Sequence, residues 1–577
     1  MCGIAGVVER GAGDTEAVTC AMRDSLGHRG PDGAAVRAWP EHGVGLGHRR
    51  LAIIDTGSGG MQPLANEDGT VWVIANGEIC NFLSLRRELE ALGHRFRSQS
   101  DSEVIVHAYE EWGDGHVERL SGFFAFALYD RRPAEGRPFR VLLVRDRLGV
   151  KPLFYSAARH RVAFGSEIKA LLRHPRIDRS IDRTALFDYF TYSCMPGDKT
   201  GYAAIRSLPP GHLMVIERDD FRIRQYWDVP VNTTRRISLP EAISDTRLGV
   251  AGAVGEYLTS DVPIGVLMSG GIDSGMVAAC AAAIVPALPS FALGFDVVER
   301  NETAFAASLA TALGTSHHEG RADGDALPDW PDTILDAFDQ PFADASAVPT
   351  AVLSRLAARH VKAVLSGDGG DEVFAGYNRY TSWMSETRPT FESYARRLEL
   401  FSPAEKRAWL APEWSADFSD YDDYWHYRAF WRDDLEPVTR LQYVDLKTYL
   451  PDDILVKVDR ASMSASLEVR PPLIEHRLVE RIVPLPGAQK VRDAVGKRLL
   501  KDAARGVIPD TIIDRPKRGF SAPMTNWVVA HQQWAETTLR ESRTGLFRPG
   551  VTEPAPSRYG EKVWAAILAD RWLARHA

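Results

Sequence analysis

Cysteine is scarce in this chain, which has five cysteines among 577 residues. They stand at positions 2, 20, 80, 194 and 280, so they are far apart and odd in number. A disulfide framework is therefore not expected, and a reducing compartment fits better. The 16 histidines are scattered, and no His/Cys cluster has the spacing typical of a zinc site.

Basic charge and long apolar runs are missing as well. The net charge of −8 argues against nucleic acid as the main partner, because phosphate binding needs a basic surface. The N-terminus has no basic segment followed by an apolar run, so no signal peptide is expected. The most apolar stretch, residues 277–295, contains two prolines and predicts a buried helix, a turn and a buried strand instead of a membrane span. We expect a cytoplasmic protein without a membrane partner; the oligomeric state is not readable, and a homodimer is one option.

The organisation of the chain changes near Trp227. Before it, short apolar runs separated by Gly, Asp, Asn and Pro predict strands, and two helical patterns intervene at 82–92 and 102–112. The strands are predicted over residues 4–8, 44–47, 51–54, 71–75, 123–129 and 141–144. This pattern is typical of an α+β domain of stacked sheets with helices outside. A polar, aperiodic linker over residues 229–240 then separates predicted domains at 1–228 and 241–577.

After the linker, strands and helices alternate. Helices are predicted around residues 241–258, 302–313 and 346–360, and strands over 262–268, 290–295 and 361–365. Such alternation indicates an α/β domain with a parallel sheet, in which ligands bind at the carboxyl ends of the strands. The remainder, to residue 577, is predicted to be mostly helical.

The second residue is the first chemical signal. If Met1 is removed, Cys2 carries both a thiol and a free α-amine. A thiol needs a base to act as a nucleophile, and an α-amine with a pKa of about 7.7–8.0 can exchange a proton near neutral pH. Taken alone, Cys2 is equally well the first residue of a short strand.

Two glycine-rich turns form the second signal. Ser269-Gly270-Gly271-Ile272-Asp273-Ser274 lies between a predicted strand and a helix, where glycines, hydroxyls and helix amides can surround an anion. Asp273 would repel phosphate unless a cation lay between them, which suggests Mg²⁺. The usual phosphate loop ending in Gly-Lys-Ser/Thr is absent from the chain. The alternative is a plain glycine turn capped by serine.

The second turn is Ser366-Gly367-Asp368-Gly369-Gly370-Asp371-Glu372. Its three acids need a cation or basic groups nearby, and a solvated acidic loop is the alternative. If both turns open on one crevice, Asp273 and Asp371 could share Mg²⁺.

Together these motifs resemble the class B, glutamine-hydrolysing asparagine synthetase family. The resemblance covers nearly the full length and keeps the motif order. It rests on Cys2–Gly6, His28–Asp32, Arg50–Asp55, Asn76–Glu78, Ser100–Glu103 and the two glycine-rich turns, with weaker support from Arg460–Arg470 and the Lys497 region. The opening motif alone indicates only an N-terminal-nucleophile glutaminase, whereas the two turns select this family.

The resemblance implies an αββα N-terminal-nucleophile sandwich that hydrolyses glutamine. In it, Cys2 attacks the glutamine side-chain amide, and the Asn76 side chain and the Gly77 backbone amide form the oxyanion hole. Arg50 meets the glutamine carboxylate, and Glu78 and Asp101 meet its α-ammonium. The backbone of Leu51, Ala52, Ile53 and Ile54 lines the same pocket.

The resemblance also implies an ATP-pyrophosphatase domain that adenylates a carboxylate, which ammonia then attacks. The expected ATP-binding residues are Leu267, Ser269, Gly270, Gly271, Asp273, Ser274, Leu293, Ser366 and Gly367. Mg²⁺ on Asp273 and Asp371, together with Lys497, would offset the charge of the leaving pyrophosphate. Asp368 stands where the family places an acid important for both half-reactions. Because ammonium is not nucleophilic, a path that excludes water must join the two sites.

Several positions depart from common family patterns: Cys80, Gln340, Asp368 and the segment Pro472-Leu473-Ile474-Glu475. The changes at Gln340 and 472–475 are candidates for the acceptor pocket, so the acceptor is predicted as aspartate or another small carboxylic acid. The alternatives are an amidotransferase of a specialised pathway, an intramolecular amide-forming relative such as a β-lactam synthetase, and a non-catalytic nucleotide- or glutamine-binding regulator. Intact Cys2, Arg50, Asn76 and Asp101 count against the cyclase, which needs no ammonia. The complete set of nucleophile, oxyanion donors and metal carboxylates counts against the regulator.

Overall fold

A computed structural model describes residues 2–9, 14–133, 139–217, 220–297, 302–516, 519–548 and 558–576. Its strands are β1 (Gly3–Glu9), β2 (Gly33–Trp39), β3 (Val44–Arg50), β4 (Leu64–Ala65), β5 (Val71–Ile79), β6 (Gly122–Asp130), β7 (Arg140–Arg145), β8 (Phe154–Ala158), β9 (Arg161–Gly165), β10 (Arg206–Ser207), β11 (His212–Glu217), β12 (Asp220–Gln225), β13 (Ile264–Leu267), β14 (Pro289–Phe295), β15 (Ser316–Ala322), β16 (Ala363–Leu365) and β17 (Glu468–Arg470).

The α-helices are α1 (Thr15–Asp24), α2 (Phe82–Ala91), α3 (Val104–Trp112), α4 (His116–Arg119), α5 (Ile168–Leu171), α6 (Arg183–Tyr192), α7 (Leu239–Tyr257), α8 (Ile272–Ala282), α9 (Thr303–Leu313), α10 (Trp330–Phe338), α11 (Ala347–Ala357), α12 (Gly370–Val373), α13 (Asn378–Met384), α14 (Phe391–Ala395), α15 (Pro403–Trp409), α16 (Pro412–Ser415), α17 (Trp425–Ala429), α18 (Pro437–Lys447), α19 (Leu455–Met463), α20 (His476–Ile482), α21 (Gly487–Lys490), α22 (Arg498–Ala504), α23 (Asp510–Ile513), α24 (Met524–Ala530), α25 (Gln532–Arg540) and α26 (Tyr559–Ala574). Short 3₁₀ or π segments lie at Ser58–Gly60, Asp101–Glu103, Gly113–Gly115, Gly324–Asp329, Ala416–Phe418, Leu450–Ile454 and Pro472–Ile474.

Two six-stranded antiparallel sheets form the N-terminal part. One has the order β10-β8-β9-β1-β3-β2, and the other has the order β12-β11-β7-β6-β5-β4. Their facing sides bury apolar residues such as Ile4, Leu46, Ala127 and Leu143. α1 packs on β1, β2 and β3, and α3 packs on β5 and α2. This helix–sheet–sheet–helix layering confirms the predicted αββα sandwich.

The segment that follows β3 differs from the prediction. Residues 51–54 were expected as a strand, but β3 ends at Arg50. Their backbone groups have other partners: the Ala52 N–H donates to Asp32 at 2.8 Å, and the Ile53 carbonyl accepts from the Asp261 N–H at 3.0 Å. These contacts replace ladder bonds, so an apolar run that looks like a strand becomes a loop whose Leu51 and Ile53 are buried.

A five-stranded parallel sheet forms the core of the C-terminal part, with the order β15-β14-β13-β16-β17. From β13 the chain adds β14 and β15 on one side, and it then places β16 and β17 on the other side of β13. The strand order therefore reverses between β13 and β16, and in open parallel sheets this crevice is where ligands bind. The apolar stretch over 277–295 gives the end of α8, a turn and β14, as predicted. The chain after β17 is mostly helical.

No helix or strand forms between Gln225 and Leu239, where most of the predicted linker lies. One apolar core nevertheless crosses it. Leu51 and Phe123 of the sandwich pack in the same cluster as Tyr257 and Met268, and the Phe123 and Tyr257 rings lie 5.2 Å apart between centroids. We call this cluster the shared core. Within the described residues, no helix has the length and apolar character needed to cross a membrane.

Candidate active sites

The first site lies where the start of β1 meets β5. The Cys2 N–H donates to Asn76 Oδ1 at 3.0 Å, which turns the Asn76 Nδ2 group away from that bond. Asn76 is fully buried, and its Nδ2 has no hydrogen-bond partner among the described residues. A buried donor without a partner normally costs stability. Such a donor beside a thiol is typical of an oxyanion hole, where it binds negative charge that forms only during the reaction.

The next residue, Gly77, could only be glycine. Its φ is +130°, and an added Cβ would lie 1.9 Å from the Phe123 carbonyl oxygen. This conformation and close approach are strained for any other residue.

The Cys2 thiol is not ionised by its surroundings. Burial raises its pKa. Its Sγ lies 3.9 Å from the Leu51 carbonyl oxygen, an acceptor that favours the neutral thiol. A thiol in this environment needs a base to become a nucleophile.

The Arg50 side chain extends over the loop that follows β3. Its guanidinium donates to the carbonyls of Ile54, Asp55 and Gly57, and it makes no ion pair with any described carboxylate. Because these acceptors are neutral, its positive charge is available for an external carboxylate.

Two buried acids, Glu78 and Asp101, lie at the end of β5 and at the start of the 3₁₀ segment Asp101–Glu103. Asp101 Oδ2 accepts from the Ile79 N–H at 2.8 Å. Burial raises the pKa of Asp101, and burial together with the Asp101 charge raises that of Glu78. Carboxyl groups in this state would gain from an additional cation.

Two arginines that the sequence motifs left without a role connect this site to the C-terminal part. Arg29 donates through Nε to the Cys2 carbonyl at 3.1 Å and pairs with both oxygens of Asp459, at 2.8 and 3.0 Å. Arg470, on β17, pairs with Glu78 at 2.9 Å. Such long-range pairs have no local sequence signature.

The second site occupies the β13/β16 crevice, where both glycine-rich turns meet at one cavity of about 860 Å³. Gly367 and Gly370 let the turns touch: an added Cβ would lie 2.6 Å from the Ser274 nitrogen and 2.5 Å from Asp273 Oδ1, respectively. The predicted residues in its wall are Leu267, Ser269, Gly271, Asp273, Ser274, Leu293, Ser366, Gly367, Asp368, Asp371 and Lys497. Gly270 lies in the turn itself with φ +73°.

Lys497 lies between the two predicted metal ligands. Its Nζ forms a short ion pair with Asp273 Oδ2 and lies 2.7 Å from Asp371 Oδ1. Burial lowers its pKa, but the two carboxylates more than offset this, so Lys497 stays charged. Gly376 makes room for the ion pairs, because a Cβ there would meet Lys497 Cε at 2.1 Å.

The acidic pair also suits a divalent cation. Asp273 Oδ1 is buried and accepts no hydrogen bond from the described residues. Mg²⁺ prefers one or two carboxylates together with phosphate oxygens. Asp273 and Asp371 therefore fit a magnesium ion that would arrive with a phosphate ligand.

The cavity wall includes Glu372 of the second turn and side chains that the sequence motifs did not identify, among them Asp344, Tyr377 and Lys457. Lys457 Nζ lies 3.4 Å from Asp344 Oδ2, and Tyr377 donates to Glu372 at 2.6 Å. Burial and the Asp371 charge raise the pKa of Glu372 to about 7.

The positions suspected of forming the acceptor pocket lie elsewhere. Gln340 accepts from the Gly201 N–H of the sandwich at 3.0 Å and is not in the cavity wall. Ile474 packs beneath Gly369, and Glu475 accepts from the Ser121 hydroxyl at 3.2 Å. These side chains take part in packing and in the contact between the two parts of the chain, and a role in acceptor binding stays a prediction. Asp368 does line the cavity.

The fold and the two sites define a glutamine amidotransferase joined to a carboxylate–amine ligase. Residues 1–227 match the glutamine amidotransferase domain family, and residues 246–573 match the asparagine synthase family. The chain belongs to the family of glutamine-hydrolysing asparagine synthetases.

Curated relatives cover both halves of the chain. Asparagine synthetase [glutamine-hydrolyzing] 1 of Bacillus subtilis (strain 168) is 30% identical over 95% of this chain and 91% of its own. Asparagine synthetase [glutamine-hydrolyzing] 3 of the same organism is 34% identical over 90% of this chain and 87% of its own. The solved glutamine phosphoribosylpyrophosphate amidotransferase from B. subtilis aligns over 55% of this chain and 66% of that chain, at 17% identity and a TM-score of 0.30, too low to support an argument.

Proposed function

We propose that this enzyme converts aspartate to asparagine, with ATP forming an aspartyl-adenylate and glutamine supplying ammonia. The observation that carries the proposal is the pairing of two sites in one chain: a half-buried thiol beside an orphaned amide donor, and an acid–lysine cluster at the crevice of a parallel sheet. The Arg29–Asp459 and Arg470–Glu78 ion pairs join the first site to the C-terminal part of the chain.

In the first reaction, the Cys2 sulfur attacks the amide carbon of glutamine. With Met1 removed, the Cys2 α-amine takes the thiol proton and delivers it to the leaving ammonia. The Asn76 Nδ2 group and the Gly77 N–H donate to the oxygen that becomes negative. Water then hydrolyses the thioester to release glutamate.

Recognition of glutamine follows from the charges around the thiol. The free guanidinium charge of Arg50 suits the glutamine carboxylate, and Glu78 and Asp101 suit its ammonium. The raised pKa values of the two acids would fall when the ammonium binds, which favours the zwitterion over a simple amide.

In the second reaction, the acceptor carboxylate attacks the α-phosphorus of ATP, and the bond to pyrophosphate breaks. The hydroxyls of Ser269 and Ser274 and the start of α8 offer hydrogen bonds to the phosphates. Lys497 neutralises charge on the leaving group. Mg²⁺, held by Asp273 and Asp371, would supply further charge neutralisation. Ammonia then attacks the acyl carbon and releases AMP.

Aspartate as acceptor is supported by the mixed charge of the cavity wall. A free amino acid presents an ammonium and two carboxylates, so its site needs both acids and bases. Lys457 with Asp344 and Asp368 provide such a set at one wall of the cavity.

The test is a pyrophosphate-release screen with aspartate, glutamate and other small carboxylic acids, each with glutamine or an ammonium salt. We expect release and asparagine formation with aspartate. The Cys2→Ala variant should lose synthesis with glutamine but keep it with ammonium. Inactivity with aspartate beside activity with another acid would refute the substrate, and glutamine-supported synthesis by Cys2→Ala would refute the nucleophile.

A further inference from the structure

Four side chains of the sandwich converge at a place separate from both active sites. Glu67 lies in the turn before β5, His94 follows α2, and His107 and Glu110 stand one turn apart on α3. One nitrogen or oxygen atom from each lies within 4.8 Å of the other three. The two histidines are 13 positions apart in sequence and the acids come from different elements, so linear spacing does not show this cluster.

The distances within the cluster are longer than hydrogen bonds. His107 Nδ1 lies 3.5 Å from Glu67 Oε2 and 3.8 Å from Glu110 Oε2. His94 Nδ1 lies 3.6 Å from Glu67 Oε1 and 4.0 Å from Glu110 Oε2. Bonds of about 2.0–2.1 Å around tetrahedral zinc separate ligand atoms by about 3.3–3.4 Å. A contraction of the cluster would therefore bring one atom from each of the four side chains onto one ion.

Buried polar atoms of this cluster have no hydrogen bond. His107 is fully buried, and neither of its ring nitrogens has a hydrogen-bond partner among the described residues. The same holds for Glu110 Oε2, which faces it. These atoms have only ion-pair contacts of 3.5–4.0 Å, which are too long for hydrogen bonds, so their convergence on one gap indicates a ligand.

A second layer of carboxylates has the arrangement expected around metal-binding histidines. The other ring nitrogen of each histidine faces an acid: His107 Nε2 lies 3.6 Å from Glu103, and His94 Nε2 lies 3.6 Å from Glu111. Metal-ligating histidines commonly turn their second nitrogen toward such a group, which fixes the ring and raises its basicity.

The acids of the cluster are held in place as well. Glu110 Oε1 accepts from Asn66 Nδ2 at 2.7 Å and lies 3.5 Å from Arg132, which leaves Oε2 facing inward. Glu67 Oε1 accepts from the Arg95 N–H at 2.7 Å. Each carboxylate is thus held through its Oε1 atom, which leaves Oε2 facing His107.

We propose that Glu67, His94, His107 and Glu110 bind one divalent transition-metal ion, with Zn²⁺ the ion that best fits two imidazoles and two carboxylates. The site can be reached from solvent, because the Glu67 side chain is 35% exposed and that of His94 is 14% exposed. Its role is structural. Glu103 also accepts from the Arg97 and Ser98 N–H groups, both at 2.7 Å, so the ion would stiffen the turn that leads to Asp101.

The experiment is a calorimetric Zn²⁺ titration of the full chain in a Cys2→Ala background, since the thiol and amine of Cys2 could themselves chelate zinc. We expect one ion per chain and a higher unfolding temperature with zinc. His94→Ala should weaken binding at least about 100-fold, because losing even a second-layer partner costs about 10–100-fold. Glu110→Gln, which keeps the size of the side chain, should also weaken it.

His160→Asn is the matched control: it removes an exposed histidine of the same domain at a left-handed position, which asparagine tolerates. It should leave the affinity unchanged. The visible spectrum of bound Co²⁺ should show tetrahedral coordination that His94→Ala abolishes. An absence of stoichiometric zinc binding in the Cys2→Ala chain would overturn the proposal. The proposal would also be overturned if the folded His94→Ala and Glu110→Gln variants bound zinc with the same affinity as the parent Cys2→Ala chain.

Discussion

Asn76→Ala tests the glutaminase site most directly. The substitution removes Nδ2, the buried donor that has no partner in the described structure. Removal of one oxyanion donor typically slows turnover by about 10²–10³-fold, or about 2.7–4 kcal/mol of transition-state stabilisation. Because Asn76 is fully buried, we expect a loss in the upper part of this range. The lost acceptor for the Cys2 N–H, at 3.0 Å, adds about 1 kcal/mol to the cost in stability.

The assay compares glutamate release from glutamine with ammonium-supported pyrophosphate release in the same preparation. The first should fall about 10²–10³-fold, and the second should stay within about twofold. Asn81→Ala is the control, because Asn81 has both amide atoms in hydrogen bonds, to the Ser121 N–H and the Arg119 carbonyl, each at 2.9 Å. A folded Asn76→Ala enzyme that hydrolyses glutamine within about threefold of wild type would refute the assignment of the donor.

Three further predictions concern the charged groups of the C-terminal part. Lys497→Met should abolish pyrophosphate release with either nitrogen source. Lys501 lies in the same cavity wall but forms no ion pair with Asp273 or Asp371, so Lys501→Met should retain most of the release. Equal losses in the two variants would contradict the role of Lys497. Arg470→Met leaves Glu78 buried without its cation and should cost about 3–5 kcal/mol in urea unfolding, and a loss below about 1 kcal/mol would show that the pair is dispensable. Burial disfavours ionised Glu475, but its basic neighbours hold its pKa at about 2, below the unfolded value of about 4.3. Ionised Glu475 therefore stabilises the fold fully above a pH of about 4.3, and this stabilisation is lost as the pH falls toward 2. Glu475→Gln should lower the free energy of unfolding at pH 7 by up to about 3 kcal/mol and should not differ from wild type near pH 2.

The sequence predicted the layers of the fold and the meeting of the two glycine-rich turns at one crevice because these depend on local patterns. Alternating or continuous apolar runs bounded by turn residues gave most strands, and the turns at Ser269 and Ser366 follow strands that prove adjacent at the sheet crevice. The strand predicted over residues 51–54 was wrong because a buried loop and a strand can have the same apolar composition. The run alone does not say which partners its backbone will find.

Contacts between distant parts of the chain were not predictable in the same way. Arg29 with Asp459 and Arg470 with Glu78 are ion pairs between residues hundreds of positions apart, and nothing in their neighbourhoods specifies a partner. Lys457 was missed because it lies within an ordinary amphipathic helix pattern. Gln340 departs from a motif, but the sequence did not show that its side chain accepts a hydrogen bond from the Gly201 N–H.

The shared core limits how this chain can be divided. Leu51 and Phe123 belong to the glutaminase fold, yet they are buried in a cluster built largely by the other half. A fragment cut at residue 228 would expose this apolar surface and leave Arg29 without Asp459. The halves are therefore not interchangeable modules, and transplanting either onto another partner would require a newly designed interface.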